Sequence, residues 1–192
     1  PKESWIPLED QVTHSHGPQG EHAHGGYAGT TWMDLSMAAT QAEAVANALA
    51  ALLPVHAPEI NARLAELRNE LAMLDDEMKQ CAVQLVNKQL IYSHPVYQYF
   101  ERRYGLPGTS LHWEPDSMPS EEQWRKLAST LGDDALFIWE AEPEESIAAR
   151  MVSINLTFVV VDPAANSSEG DWMSVQQGNL MRLQAHCATD NG

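Results

Sequence analysis

The segment 89–95, which reads QLIYSHP, decides the fold. Gln89 to Tyr92 form a short apolar run rich in residues that favour strands, and Ser93-His94-Pro95 ends it. Three more short apolar runs follow it along the chain, at 110–113, 136–139 and 157–161. Helical patterns lie between and after them, near 95–103, 120–131, 144–151 and 171–186. Short apolar runs that alternate with helices predict a parallel sheet covered by helices on both faces.

Two longer helices are predicted upstream of this alternating region. In the first, apolar residues recur every three or four positions from about Asp34 up to Pro54, whose ring cannot continue the hydrogen-bond ladder. The second begins near Pro58, in the first turn where a helix tolerates proline, and its Leu-rich stripe runs toward Leu85. We therefore predict an α/β fold with a small four-stranded parallel sheet flanked by helices and preceded by long connecting helices. The predicted divisions are an arm at 1–33, connecting helices at 34–86 and an α/β lobe at 87–192.

A histidine or a carboxylate stands directly before a proline at the end of each predicted strand. In chain order the pairs are His94-Pro95, Glu114-Pro115, Glu142-Pro143 and Asp162-Pro163. Ligands bind beyond the carboxyl ends of parallel strands, so these side chains are expected to converge on one edge of the sheet. A single carboxylate there more often caps a helix. A His nitrogen together with carboxylate oxygens is, however, a ligand set for zinc or manganese, and the four pairs together predict a metal site.

The composition excludes several classes of partner. The 192 residues carry 11 Lys plus Arg against 27 Asp plus Glu, a formal charge of −16. Nucleic acids and anionic membrane surfaces need clustered Lys and Arg, so neither is an expected partner.

No run approaches the ~20 apolar residues of a membrane span. The chain opens with Pro1-Lys2-Glu3-Ser4 and shows no apolar segment typical of a signal peptide.

Four of the eight histidines fall within eleven residues of the N-terminal arm. They form two pairs, His14-x-His16 and His22-x-His24, in a segment rich in Gly, Pro and Ser that shows neither helical nor strand periodicity. Alternation along an extended chain places both members of a pair on one side. Four imidazoles suit zinc, copper or nickel. We interpret the arm as mobile and as a site of transient metal capture; a flexible polar linker is the alternative.

The motifs as a set resemble the zinc- and manganese-binding substrate receptors of ABC importers. The segment 94–106, HPVYQYFERRYGL, is similar to their histidine followed by an aromatic-rich helix and Tyr-Gly-Leu. Glu114-Pro115 leading to Pro119-Ser120, the strand that ends at Pro143 and the strand that ends at Asp162-Pro163 follow in the family's order. The resemblance covers about residues 10–186 and implies a single lobe of a two-lobe metal-receptor fold. It also implies a periplasmic or extracytoplasmic location, an ABC permease as partner, and Zn²⁺ or alternatively Mn²⁺ as the ion.

The resemblance also indicates an incomplete set of ligands. The N-terminal lobe that supplies the first histidine in the family is missing, and Thr30 stands where the family has its next histidine. His94 and Asp162 remain as the implied metal ligands. Zinc takes about four ligands. The others are expected from the sheet edge (His112, Glu114 and Glu142), from the arm, or from a second lobe or a second copy of the chain. His112 lies in a predicted strand, where a core position is an equal alternative to ligation.

The two cysteines and the choice of function complete the sequence-based expectations. Cys81, near the end of the long helix, and Cys187, near the end of the last helix, are both expected at the amino-end face of the sheet. They are interpreted as a disulfide or, equally, as two unpaired thiols. The predicted function is a metal-binding protein without catalysis, either a half-size receptor of an ABC importer or a metal chaperone. The alternatives are a small metal-dependent hydrolase with Glu114 or Glu142 as base, and an interaction module that has lost metal binding.

Overall fold

A computed structural model describes residues 2–7, 12–15, 21–24, 26–165 and 170–188, with only the backbone described for 12–15 and 21–24. The N-terminal segment contains two short antiparallel strands, β1 (Val12–Ser15) and β2 (Glu21–His24). These eight residues pair as strands although their sequence shows no strand periodicity. The N–H and C=O groups of the two strands bond to each other. The sequence here has no alternating apolar pattern that would have predicted this pairing.

Two long helices follow as predicted, α1 (Leu35–Leu52) and α2 (Ala57–Leu85). Asp34 caps α1, because its carboxylate accepts the N–H groups of Ser36 and Met37. A short 3₁₀ turn over Pro54–His56 separates the two helices. With 29 residues, α2 is about 43 Å long. Its carboxyl-terminal half packs on the sheet, whereas its first turns and the facing end of α1 are largely exposed.

The remainder of the chain builds the α/β lobe. Its four strands are all parallel, as the sequence predicted, and their order in the sheet is β4-β3-β5-β6. Their bounds are β3 (Gln89–Tyr92), β4 (Gly108–Ser110), β5 (Ala135–Trp139) and β6 (Thr157–Val160). The helices are α3 (Gln98–Tyr104), α4 (Glu121–Ala128), α5 (Glu145–Ser153) and α6 (Trp172–Ala188).

The edge strand β4 begins two residues earlier than the predicted run at 110–113. Gly108 makes this pairing possible, because a Cβ there would lie 2.5 Å from a ring carbon of Tyr92 and 2.7 Å from the carbonyl oxygen of Leu90. The apolar Leu111 and Trp113 follow the strand in a loop, and their N–H groups still bond to the end of β3 and to Ser93. His112 therefore lies in the loop after β4 rather than within a strand.

Two apolar cores cover the two faces of the sheet. Alternate residues of β5 divide between them: Leu136 and Ile138 pack with α2, α3 and α6, whereas Phe137 and Trp139 pack with α4 and α5. All four of these side chains are fully buried. Since helices cover both faces, the carboxyl end of the sheet is the edge where side chains of several strands can meet solvent and each other.

The ends of the histidine-rich segment are anchored to the lobe. The N–H of Ala28 donates to the carbonyl of Ile6 at 2.8 Å, and Pro7 bridges Tyr27. The N–H of Ile6 in turn donates to the hydroxyl of Tyr99 on α3, at 3.1 Å. Pro7 and Tyr27, at the two ends of the histidine-rich segment, therefore lie together beside α3.

The cysteines lie together in the larger core. The sulfur atoms of Cys81 on α2 and Cys187 on α6 are 3.5 Å apart, and both side chains are buried. Burial raises the pKa of the Cys81 thiol to about 12, with the hydrogen bond to Cys187 adding to the effect. Both cysteines are free thiols in this structure. A disulfide between them stays a prediction.

Candidate metal centre

The carboxyl ends of β3 and β5 bring a histidine and a glutamate together. His94 follows β3 by two residues and Glu140 directly follows β5. Nδ1 of His94 lies 3.1 Å from Oε1 of Glu140. Ser93, which is fully buried, holds this arrangement: its N–H donates to Ile138 of β5, and its hydroxyl accepts the N–H of Glu140 at 3.2 Å.

Glu114 approaches the other nitrogen of the same imidazole. Its Oε1 lies 3.6 Å from Nε2 of His94. His94, Glu114 and Glu140 each offer one ligand atom, and these three atoms lie within 4.8 Å of one another. The His94 side chain is only 12% exposed, whereas that of Glu114 is 51% exposed. The group is therefore anchored from inside the lobe and open to solvent on the Glu114 side.

The two carboxylates set the charge of the imidazole. The hydrogen bond with Glu140 raises the pKa of His94; partial burial opposes this, and the negative charges of Glu140 and Glu114 add to it. Without a bound cation, the group favours the protonated ring. A divalent cation would replace that proton, because a metal ligand must be the neutral imidazole.

His112 lies beside this group. Its ring meets the His94 ring edge-on, with 5.6 Å between ring centroids. The residue is exposed, so the alternative of a core position for His112 is wrong. The reason is the shift of β4, which leaves His112 in the loop beyond the strand.

Asp162 and Glu142 do not join the three-residue group. An oxygen of the Asp162 carboxylate accepts the N–H of Ala164 at 2.6 Å, and its own N–H donates to Asn179 of α6. Asp162 is thus half-buried in a turn just past β6. Glu142 lies two residues beyond Glu140, is exposed, and is not among the three clustered residues. Metal ligation by either residue stays a prediction.

Thr30, the residue at the position of a family histidine, is close to this end of the lobe. Its hydroxyl donates to the carbonyl of Val96, two residues after His94, at 2.5 Å. The side chain is almost fully buried. Thr30 therefore ties the start of the connecting helices to the loop that carries His94.

For the histidine-rich segment, the structure supplies only backbone positions. His14 of β1 lies directly opposite His22 of β2, and His24 lies opposite Val12. The side chains of these histidines, and the whole of His16, are outside the described residues. Metal capture by the segment stays a prediction.

Glu140 is the member of the group that sequence reasoning missed. It ends the same strand as Glu142, in the run Glu140-Ala141-Glu142-Pro143. The choice of Glu142 followed the residue-before-proline pattern. The length of the buried run would have indicated Glu140, because the first polar residue after four buried positions is the one that leaves the strand at its carboxyl edge.

A comparison with protein families gives a match over nearly the whole chain. Residues 2–186 match the family model described as zinc-uptake complex component A, periplasmic. Among curated proteins, the chain is 26% identical over 138 residues to a protein of Chlamydia muridarum; this covers 70% of the chain and 50% of that protein. It is also 26% identical over 104 residues to the high-affinity zinc uptake system protein ZnuA of Paracoccus denitrificans, which covers 54% of the chain and 32% of that protein. The chain thus spans at most half of either relative.

The fold has a close counterpart among solved structures. The Zn(II)-bound ZnuA-like domain of AdcA from Streptococcus pneumoniae superposes with a TM-score of 0.75 at 20% sequence identity. The match covers 83% of this chain and 63% of that domain. At this identity the likeness shows the fold, which is the single-lobe α/β architecture that the sequence predicted.

Proposed function

The chain belongs to the family of zinc-uptake complex component A, and from this membership we propose that it binds a divalent metal ion, as a receptor without catalysis. The ion proposed is Zn²⁺, with Mn²⁺ as the alternative. Imidazole with carboxylate suits either ion, and the four histidines of the arm favour zinc. Family membership supports the class of receptor; the position of the ion rests on the geometry at the sheet edge.

The observation that carries the proposal is the pair of carboxylates on opposite sides of His94. With its Nδ1–H donated to Glu140, the neutral imidazole presents a lone pair at Nε2. Glu114 Oε1 lies 3.6 Å from that nitrogen. Two ligands of a tetrahedral zinc are about 3.4 Å apart when both bonds are near 2.1 Å. We therefore place the ion between His94 Nε2 and Glu114, with Glu140 orienting the ring.

The remaining positions of the coordination sphere are proposed to come from nearby residues and from outside the lobe. His112 lies beside His94. Asp162 lies just past the end of β6, which is separated from β3 by β5 in the sheet. Two or three ligands from this chain, at an edge that is open to solvent, would leave a position for a donor from a second lobe or from a second copy of the chain.

Exposed apolar side chains on the connecting helices favour the proposal of a second lobe. Around the turn between α1 and α2, five apolar side chains are exposed, with Leu52 at 76% and Val55 at 87%. The others are Val45, Leu49 and Leu53. Several exposed apolar side chains within eleven residues of the chain favour an interface there. The chain covers 63% of the AdcA domain that it superposes on, which is consistent with a further unit packing here.

The proposed setting is the periplasm or another extracytoplasmic compartment, with an ABC permease as partner. The family description supports this setting. Within the described residues, none of the helices has the length and apolar character needed to cross a membrane. We further propose that the loop carrying His14, His16, His22 and His24 captures the ion transiently, since its two ends lie together beside α3.

A zinc titration tests the proposal. Metal-free protein should bind one equivalent of zinc at the sheet edge and further, weaker equivalents in the histidine-rich loop. Replacing the four loop histidines by glutamine should remove only the weaker binding. In that background, His94→Gln should remove the tight equivalent. Tight binding that survives both changes would reject the sheet edge as the site.

A further inference from the structure

A cavity of about 490 Å³ lies between helix α4 and the edge strand β4 with the loop that follows it. Its wall includes Ile91, Trp113 and Leu127, which belong to the core on the face of the sheet that α4 and α5 cover. The connecting helix α2 packs on the opposite face. The described residues that line the cavity include none of the three residues of the metal group. The cavity is therefore separate both from that group and from the connecting helices.

The wall of the cavity is suited to an apolar body. Ile91, Leu111, Trp113 and Leu127 line it together. Thr109 is the register partner of Ile91 on the edge strand, so its side chain points to the same face of the sheet, and it is exposed at the rim. The volume and the largely apolar lining are those of a site for a small organic molecule.

The two amide side chains in the cavity already have partners. Gln89 donates to the carbonyl of Thr130 and accepts from the N–H of Gly132. Gln123 is held in the capping box of α4, where its side chain accepts the N–H of Ser120 and its backbone N–H donates to the Ser120 hydroxyl. These amides fix the shape of the cavity and have little capacity left for a ligand.

Lys126 supplies the ammonium group of the cavity. Although the chain has 27 Asp plus Glu, none of them is among the described residues that line this cavity. None of the ion pairs between described residues includes Lys126. An exposed ammonium group beside an apolar wall, with no carboxylate next to it, favours a ligand that combines one negative charge with an apolar body.

We propose that this cavity is a second binding site, separate from the metal group, for a small monocarboxylate with an apolar body. The apolar body would contact Trp113 and Leu127, and the carboxylate would pair with Lys126 at the opening. The metal ion takes no part in this binding, so the inference does not rest on the proposed function. It adds an organic ligand to a chain for which only metal binding is otherwise proposed.

Cinnamate, cinnamamide and acetate test the two parts of this site. Cinnamate has a flat apolar body and one carboxylate, cinnamamide has the same body without the charge, and acetate has the charge without the body. Calorimetry on the full chain, after removal of metal, should show that cinnamate binds and that acetate does not. Cinnamamide should bind about three- to fivefold more weakly than cinnamate, the range for an exposed ion pair.

A lysine variant and a matched arginine variant locate the carboxylate. Lys126→Met should lower the affinity for cinnamate by the same three- to fivefold, roughly to that for cinnamamide, and should leave cinnamamide binding unchanged. Arg125→Met removes the same charge from the neighbouring position of α4, which does not line the cavity, and should leave cinnamate binding unchanged. Equal effects of the two variants, or equal binding of cinnamate and cinnamamide by the wild type, would overturn the inference.

A third variant locates the apolar body. Thr109→Phe places an aromatic ring at the rim, on an exposed strand position that suits aromatic residues, and should remove the binding of both probes. Circular dichroism and zinc affinity, both unchanged, would show that this variant folds. Full binding of cinnamate by the folded variant, or no binding of cinnamate by the wild type, would overturn the inference.

A zinc titration separates this inference from the proposed function. The affinity for zinc should be the same with and without saturating cinnamate. Competition between cinnamate and zinc would place the carboxylate on the metal group and overturn the inference. If the chain binds cinnamate as described but no zinc, the proposed function fails and the inference stands.

Discussion

Nδ1 of His94 lies 3.1 Å from Oε1 of Glu140, at the carboxyl ends of the neighbouring parallel strands β3 and β5. The contact fixes both the ring and its tautomer, because an Nδ1–H donated to the carboxylate leaves Nε2 as the free lone pair. The other nitrogen faces Glu114. In the proposed site, His94 thus lies between Glu140, which orients its ring, and the more exposed Glu114, which would bind the ion with it.

Glu140→Gln should weaken zinc binding about 10- to 100-fold, the usual effect of removing a carboxylate that orients a ligating histidine. Glu142→Gln, two residues away and exposed, should leave the affinity within about twofold. Competition with a fluorescent zinc chelator measures both. If Glu142→Gln has the larger effect, Glu142 rather than Glu140 serves the site.

The pKa of His94 in the metal-free protein should lie above its ordinary value of 6.5, and Glu140→Gln should lower it. Since the pKa of His94 is higher in the folded than in the unfolded state, the His94–Glu140 pair stabilises the fold most below pH 6.5. This contribution is lost as pH rises through the folded pKa. Zinc binding has the opposite dependence, because protons compete for Nε2, and it should weaken as pH falls through that value. NMR titration of the His94 ring, with the zinc affinity measured at the same pH values, tests both trends.

Oxidation should join Cys81 and Cys187. Their sulfur atoms are 3.5 Å apart and the residues are 106 positions apart in sequence, so the bond would close a long loop with little movement. It should add about 2–4 kcal/mol to the free energy of unfolding. The measurements are the intact mass with and without reductant and the unfolding midpoint of each form. Cys187→Ser should show the reduced midpoint in both conditions, and two alkylatable thiols after oxidation would contradict the disulfide.

Asp75 anchors α2 to α3 and should be critical for stability. Its nearly buried carboxylate accepts hydrogen bonds from Arg103 and from the Tyr104 hydroxyl, and Lys79 lies 2.7 Å away. Asp75→Asn should cost about 3 kcal/mol, because it removes the nearer of the two carboxylates that pair with the partly buried guanidinium of Arg103 and leaves only Asp34, at 3.6 Å. Asp76→Asn removes an exposed carboxylate that contacts the same Lys79 and should cost less than about 1 kcal/mol. Urea unfolding of both variants gives the comparison, and equal losses would contradict the role of Asp75.

The same carboxylate predicts a loss of stability in acid. Burial acts to raise the pKa of Asp75, but the hydrogen bonds from Arg103 and Lys79 outweigh it, and the pKa lies below 3.8. Because the folded pKa is depressed, this contribution is present above pH 3.8 and is lost as pH falls through the folded value. The difference in unfolding free energy between the wild type and Asp75→Asn should therefore shrink in acid. A difference independent of pH would show that packing, not charge, explains the variant.

The sequence predicts β3, β5 and β6 well because most of their residues are apolar, with Gln89 and Thr157 as the polar exceptions at strand starts. The prediction at 89–92 matches β3, and those at 136–139 and 157–161 differ from β5 and β6 by one residue. The edge strand β4 is different. It is Gly-Thr-Ser, partly exposed, and it is defined by a close approach to Tyr92 that no local apolar pattern encodes.

The site was likewise predicted only in part. His94 and Glu114 are expected at the sheet edge from the sequence, and the structure places them 3.6 Å apart at their nearest atoms. Glu142 was chosen because it stands before a proline, whereas Glu140 is the first polar residue after the buried run that ends at Trp139. The β1–β2 pairing was also missed, because backbone hydrogen bonds rather than apolar side chains define it.

A crystal structure of the zinc-loaded protein, with anomalous diffraction recorded at the zinc absorption edge, tests the central claim most directly. The account predicts a peak about 2.0–2.2 Å from Nε2 of His94 and from a carboxylate oxygen of Glu114, with Glu140 still bonded to Nδ1. A fully occupied peak elsewhere, with His94 and Glu114 free of metal, would contradict it.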